Sequence, residues 1–162
     1  DKGGKVTRNG TSLLMNLGVG FSHELTAREN IYVNGSTLGL RLSKIEEIFD
    51  DIIAFAELEE FVDTKIKYFS SGMTQRLAFS VAVNAHAEIL FLDEVFAVGD
   101  KRFRAKATNV LEENWIKGRT VILVSHSKAM IQKYCNKVGV MHKGELVHFG
   151  DANKAFEVYD KL

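Results

Sequence analysis

Residues 68–100, YFSSGMTQRLAFSVAVNAHAEILFLDEVFAVGD, constrain this chain more than any other stretch. In Phe69-Ser70-Ser71-Gly72-Met73, small residues precede a run, Thr74 to Ala85, whose apolar positions recur at helical intervals. The first N–H groups of a helix lack internal partners and carry partial positive charge, so a turn of this kind can hold a phosphate. Ser70 and Ser71 bring hydroxyl donors, and Gly72 lets the backbone come close. Ile89-Leu90-Phe91-Leu92 is then a short apolar run between polar residues, the pattern of a buried parallel strand. Asp93 and Glu94 follow at its C-terminal end, where open α/β sheets place their ligands.

Composition narrows the class. With 162 residues, 46% hydrophobic and 26% charged, the chain suits one α/β domain with a real core. The 21 basic and 21 acidic residues cancel, which argues against a nucleic-acid surface or a polybasic membrane patch. No apolar run approaches the roughly 20 residues that cross a bilayer. The single cysteine, Cys135, excludes an internal disulfide and suits a reducing compartment. Cys135, His142 and His148 are spaced as no compact zinc motif is.

Along the chain, Val6 to Leu17 reads as two short strands around an Asn9-Gly10 hairpin turn. Thr26 with Glu29 forms a capping box for a helix to about Leu38. Ser43 with Glu46 caps a second helix, whose Ile45, Ile48, Phe49, Ile52 and Phe55 or Ala56 make a core-packing stripe. Gln75-Arg76 reads as support for the helix and its acidic neighbours. Phe103 to Trp115 reads as helix, Thr120 to Val124 as a buried strand, and Ala129 to Tyr134 as helix. Val138 to His142 and Glu145 to Phe149 are strands around Lys143-Gly144, and Asp151 caps a final helix.

These motifs, in their order, resemble the ATP-binding subunit of an ABC transporter. FSSGM stands where that family carries its signature turn, and ILFLDE is similar to its Walker B strand with the following glutamate. Ala97-Val98-Gly99-Asp100 resembles the D-loop, and VSHS with His126 the switch-histidine loop. GVGFSHELTAREN, Gly18 to Asn30, is similar to the branch that exports polysaccharides and teichoic-acid-type polymers. The resemblance implies a P-loop NTPase fold of the α/β class, with a helical signature subdomain and a mostly parallel core sheet. It divides the chain into a hairpin and Q-loop-like segment (about 1–25), a helical subdomain (about 26–86) and a Walker B, D-loop and H-loop part (about 87–162).

It also implies a chemistry. Asp93 would hold Mg²⁺ through water, and Glu94 would act as general base on the attacking water. His126 would hydrogen-bond the γ-phosphate, and Asp100 would organise the site of a facing subunit. Ser70, Ser71, Gly72 and Met73 would grip ATP bound to that second subunit, giving a homodimer with composite sites. The other implied partner is an integral membrane permease, which places the chain in the cytoplasm on the inner face of the membrane. Two departures stand out. No G-x-x-x-x-G-K-[ST] loop occurs; Gly3-Gly4-Lys5-Val6 has no hydroxyl residue after the lysine and fits the family's G-x-V-x-x-x-G segment, Gly4 to Gly10. The expectation is therefore an incomplete domain beginning downstream of its phosphate loop and inactive alone. Met15-Asn16-Leu17-Gly18 carries no glutamine where the family has one for Mg²⁺ and water, and Asn16 is the nearby amide.

Three functions compete at this point: the ATPase of a polymer exporter, a soluble ABC-type ATPase on nucleic-acid or ribosomal machinery, and a non-hydrolysing interaction module. Neutral charge and the GVGF loop argue against the second. Joint retention of Asp93, Glu94 and His126 argues against the third.

Overall fold

Strand β1 (Ser12–Met15) begins where the Glu88 carboxylate accepts the N–H of Thr11 at 2.9 Å. The Thr11 carbonyl in turn accepts the N–H groups of Glu88 and Ile89 at 3.1 and 3.0 Å, and β2 (Ile89–Asp93) runs parallel to β1 from there. Gly10 permits this approach: at φ 131°, a Cβ on it would stand 2.8 Å from Glu88 Oε2. Gly10, expected at a hairpin turn, also stands at the entry to a parallel strand. The computed structural model describes residues 5, 7, 9–15, 20–93 and 99–162; Val6 and Arg8 of the expected hairpin lie outside these.

Two units divide the chain, Asp1–Ile122 and Leu123–Leu162. In the first, helices α1 (Ala27–Thr37), α2 (Leu42–Ala56) and α3 (Ser71–Ala82) bury one apolar cluster. Ile45, Ile48, Phe49 and Ile52 all point into it from α2, as their spacing requires, and Ile31, Ile66 and Leu77 meet them. The Thr26–Glu29 capping box is formed, with Thr26 N–H donating to Glu29 Oε2 at 2.8 Å and Glu29 N–H to Thr26 Oγ1 at 3.2 Å. The cap expected at Ser43 is not: α2 already begins at Leu42, because the Arg41 carbonyl takes the N–H groups of Lys44 and Ile45.

Past β2, helix α4 (Lys101–Val110) continues into a π-helical segment, Leu111–Ile116. Trp115 is buried there and donates its Nε1–H to the Val83 carbonyl at 2.7 Å. Strand β3 (Thr120–Val124) follows β2 in the sheet order β1-β2-β3, its Thr120 N–H bonded to the Glu88 carbonyl. It was expected to be buried. Instead Ile122 and Val124 are exposed, and β3 stands at the end of the sheet order among the described residues.

The second unit holds α5 (Lys128–Tyr134), β4 (Val138–His142), β5 (Glu145–Gly150) and α6 (Ala152–Tyr159). β4 and β5 pair antiparallel around Lys143 and Gly144, both in the left-handed region, and bury Val138 and Val140 against Ala155. Asp151 caps α6 as expected, accepting from Asn153 and Lys154 N–H.

Candidate functional site

The turn at Ser70 is built by its own side chain. Ser70 is the N-cap of α3, its Oγ accepting the Met73 N–H at 3.2 Å while its carbonyl takes the Thr74 N–H. Helix α3 therefore starts at Ser71, and Ser71-Gly72-Met73 is its first turn. The N–H groups of Ser71 and Gly72 have no hydrogen-bond partner among the described residues, and both residues are accessible. That is the donor arrangement an anion requires. A cleft beside the turn is lined by His23, Lys67, Phe69, Ser71, Thr74 and Gln75. Lys67 carries its own counter-ion, Glu24, at 2.9 Å, and this bond holds the Glu24 carboxyl below the usual glutamate range.

Asp93 is the last residue of β2, with Leu90 and Leu92 buried behind it and its own side chain exposed. A carboxylate at the open end of a parallel strand is free to take water or a hydrated cation. Glu94 lies outside the described residues, as do Asn16 and the Ala97-Val98 part of the D-loop-like stretch. Asp100 is the N-cap of α4, accepting the Phe103 N–H at 2.9 Å. That bond chiefly, with the Arg102 N–H and the charges of Arg76 and Arg102, keeps its carboxyl below the usual aspartate range. His126 follows β3 in the second unit, exposed beside Ser127, the N-cap of α5.

Of these residues the structure joins the α3 turn to the Asp100 segment. The link is Gln75, whose Oε1 accepts the Gly99 N–H at 3.2 Å. Sequence reasoning gave Gln75 and Arg76 a supporting role, and Arg76 does meet an acidic neighbour, Glu57, at 3.5 Å. It gave no role to Asn30, Glu57 or Glu88, whose partners are backbone groups or residues distant in sequence.

The family model for ABC transporters matches residues 3–97. This chain belongs to the ABC transporter family. It is 40% identical over 158 residues to the O-antigen export system ATP-binding protein RfbB of Klebsiella pneumoniae, covering 98% of this chain and 64% of that one. It is 35% identical over 159 residues to the teichoic acids export ATP-binding protein TagH of Listeria innocua serovar 6a, covering 98% of this chain and 48% of the relative. The chain thus spans less than two thirds of the length of these curated relatives. Among solved structures, an ATP-binding subunit of an ABC transporter superposes with a TM-score of 0.74 at 20% identity, over 93% of this chain and 62% of the other. An ATP-binding cassette dimer in a post-hydrolysis state with ADP and phosphate superposes with a TM-score of 0.65 at 20% identity, over 88% and 63%. Both likenesses confirm the ABC ATPase fold, mixed helices and strands with a parallel sheet.

Proposed function

We propose that this chain is part of the ATP-hydrolysing subunit of an ABC exporter for cell-surface polysaccharide, O-antigen or teichoic-acid-type polymers. The observation that carries the reading is the α3 turn: accessible, with two N–H groups unpartnered among the described residues, in a chain similar to ATP-binding proteins of O-antigen and teichoic-acid export. In this reading the turn, Ser70 to Met73, contacts the phosphates of ATP held mainly by a second ATP-binding subunit. Asp93 holds Mg²⁺ through water, and Mg²⁺ when bound neutralises phosphate charge. Glu94 takes the proton of the attacking water, and His126 hydrogen-bonds the terminal phosphate. Asp100, fixed by its own helix, orients the backbone that faces the partner site. No helix among the described residues is long and apolar enough to cross a membrane. In this reading a permease subunit passes the polymer and this chain is peripheral on its cytoplasmic side, as its likeness to ATP-binding proteins of export systems supports.

Deleting the coding sequence in its host tests the export reading: polymer should accumulate inside the cell and vanish from its surface. Unchanged surface polymer would overturn it. The chemistry is tested by Glu94→Gln in the assembled exporter, which should still bind Mg-ATP while turnover falls by at least about 10²-fold. Near-normal turnover would remove Glu94 from the general-base role.

A further inference from the structure

Three cations converge on one carboxylate at the end of α2. Glu57 Oε1 lies 3.1 Å from Arg102 Nη2 and 3.8 Å from Lys106 Nζ, and Oε2 lies 3.5 Å from Arg76 Nη1. Glu57 is the C-cap of α2 and sits at φ 58°, in the left-handed region where glycine is ordinarily favoured. A glycine would satisfy the backbone there; it would leave the three cations without their shared partner.

The three pairs differ in weight. Lys106 donates to the Phe55 carbonyl at 2.9 Å and lies 4.3 Å over the Phe55 ring, so its main work is capping α2. Arg102 is 82% exposed, and such a pair alone contributes little. Arg76 is only 18% exposed against a Glu57 side chain at 31%, and this sheltered pair is screened less. Below them Phe55, Phe79 and Phe103 pack with centroids 5.6–6.1 Å apart, which sets how closely α2, α3 and α4 approach. Ring contacts of this kind leave sliding and rotation soft; the Glu57 carboxylate, hydrogen-bonded by Arg102 and ion-paired with Arg76, restrains them.

The bridge closes a circuit with the nucleotide-facing parts. Arg76 follows Gln75, the residue that holds the Gly99 N–H, and a Cβ on Gly99 would stand 3.3 Å from Arg76 Cγ and 3.1 Å from Phe103. Helix α3 therefore grips the segment before α4 at Gly99 and reaches its first turn at Arg102 through Glu57. We propose that Glu57 is a positioning residue: by bridging Arg76 to Arg102 it fixes the helix that bears the Ser70–Met73 turn against the Gly99–Asp100 segment, so that the two move as one piece. The bridge itself stands on geometry alone; only its consequence for turnover rests on the function proposed above.

Amide hydrogen exchange on the 162-residue chain tests it. Glu57→Gln should speed exchange of the Gly99 N–H about tenfold with an unchanged far-ultraviolet spectrum, and Arg102→Gln, an exposed change that leaves the core intact, should speed it less. Lys106→Met, which loosens the end of α2, should leave Gly99 within about twofold of the parent rate. A Gly99 rate unchanged in both the Glu57 and Arg102 variants overturns the proposal. Equal acceleration by Lys106→Met also overturns it, since Glu57 would then act only as part of the helix end. In the assembled ATPase, Glu57→Gln should lower kcat with little change in KM for ATP, and an unchanged kcat would overturn the positioning role. Absence of turnover in the parent assembly would count against the proposed function and leave the exchange result standing.

Discussion

Asn30 is fully buried, and its side chain is surrounded by backbone. Its Oδ1 accepts the Ser22 N–H at 2.8 Å, and its Nδ2 donates to the carbonyls of Ser22, Leu25 and Thr26 at 3.0, 3.2 and 2.9 Å. This amide ties the loop that precedes α1 to the first turn of the helix. Asn30→Leu strands those backbone groups, and Asn30→Asp sets a carboxylate against carbonyl oxygens with no N–H to offer. Each should cost about 1–3 kcal/mol, read from urea denaturation, and a loss below about 0.5 kcal/mol would show that the loop holds itself. Ser70 poses the opposite problem, because a structural cap and a phosphate donor call for the same residue. Ser70→Ala should cost about 1 kcal/mol of stability and Ser70→Gly only a few tenths. The glycine variant therefore separates the roles: lost ATP affinity in a stable Ser70→Gly assembly would report the hydroxyl's contact. Ser70 was legible because a small polar residue before an apolar helical run is itself the signal. Asn30 was not, since its partners are main-chain carbonyls that no side-chain pattern reveals.

Helices α1 and α2 meet at Gly35, where a Cβ would stand 2.9 Å from Ile45 Cδ1. Helix propensity favours alanine over glycine by about 1 kcal/mol, but Ile45 is fully buried, so moving its Cδ1 disturbs the packing around it. Gly35→Ala should therefore be destabilising by up to about 2 kcal/mol despite its better propensity. Ile45→Val removes the obstructing methyl, so in that background Gly35→Ala should turn neutral or stabilising. If it stays equally harmful, the crowding lies elsewhere. At this scale the sequence was most readable where one helix face or one cap suffices: the Ile45-Ile48-Phe49-Ile52 stripe, the Thr26–Glu29 box and Asp151 all formed as their spacing requires. It was least readable where a distant partner decides. β1 pairs with β2, which lies far along the chain, and β3, apolar enough for burial, stands at the end of the sheet order among the described residues. Asn9-Gly10 suggested a turn because that is the local reading of such a pair; that Gly10 also lies against the Glu88 carboxylate is set by the sheet and no local pattern shows it.

Seen across the molecule, four carboxyls among the described residues are held below their usual range by hydrogen bonds and nearby cations. Glu24 is held low by Lys67, Glu29 by the Thr26 N–H and hydroxyl, Asp63 by Arg28 and Asp100 by the Phe103 N–H. All four belong to Asp1–Ile122. A carboxyl whose folded pKa is depressed contributes stability that is present above its unfolded value, near about 4, and is lost as pH falls through the folded value. Stability of this unit should accordingly rise from about pH 2 to about pH 5 and then level. The single tryptophan, Trp115, is buried in the same unit, so its fluorescence during urea titrations at stepped pH reads this directly. General acid repulsion, with 21 basic residues left unbalanced, would give the same sign. Two controls separate the causes. Added salt screens long-range repulsion but hardly disturbs hydrogen-bonded carboxylates. The variant carrying Glu24→Gln, Glu29→Gln and Asp63→Asn should be less stable near neutral pH and show a flatter acid limb. An acid limb as steep as the parent's in that variant would assign the effect to net charge rather than to these bonds.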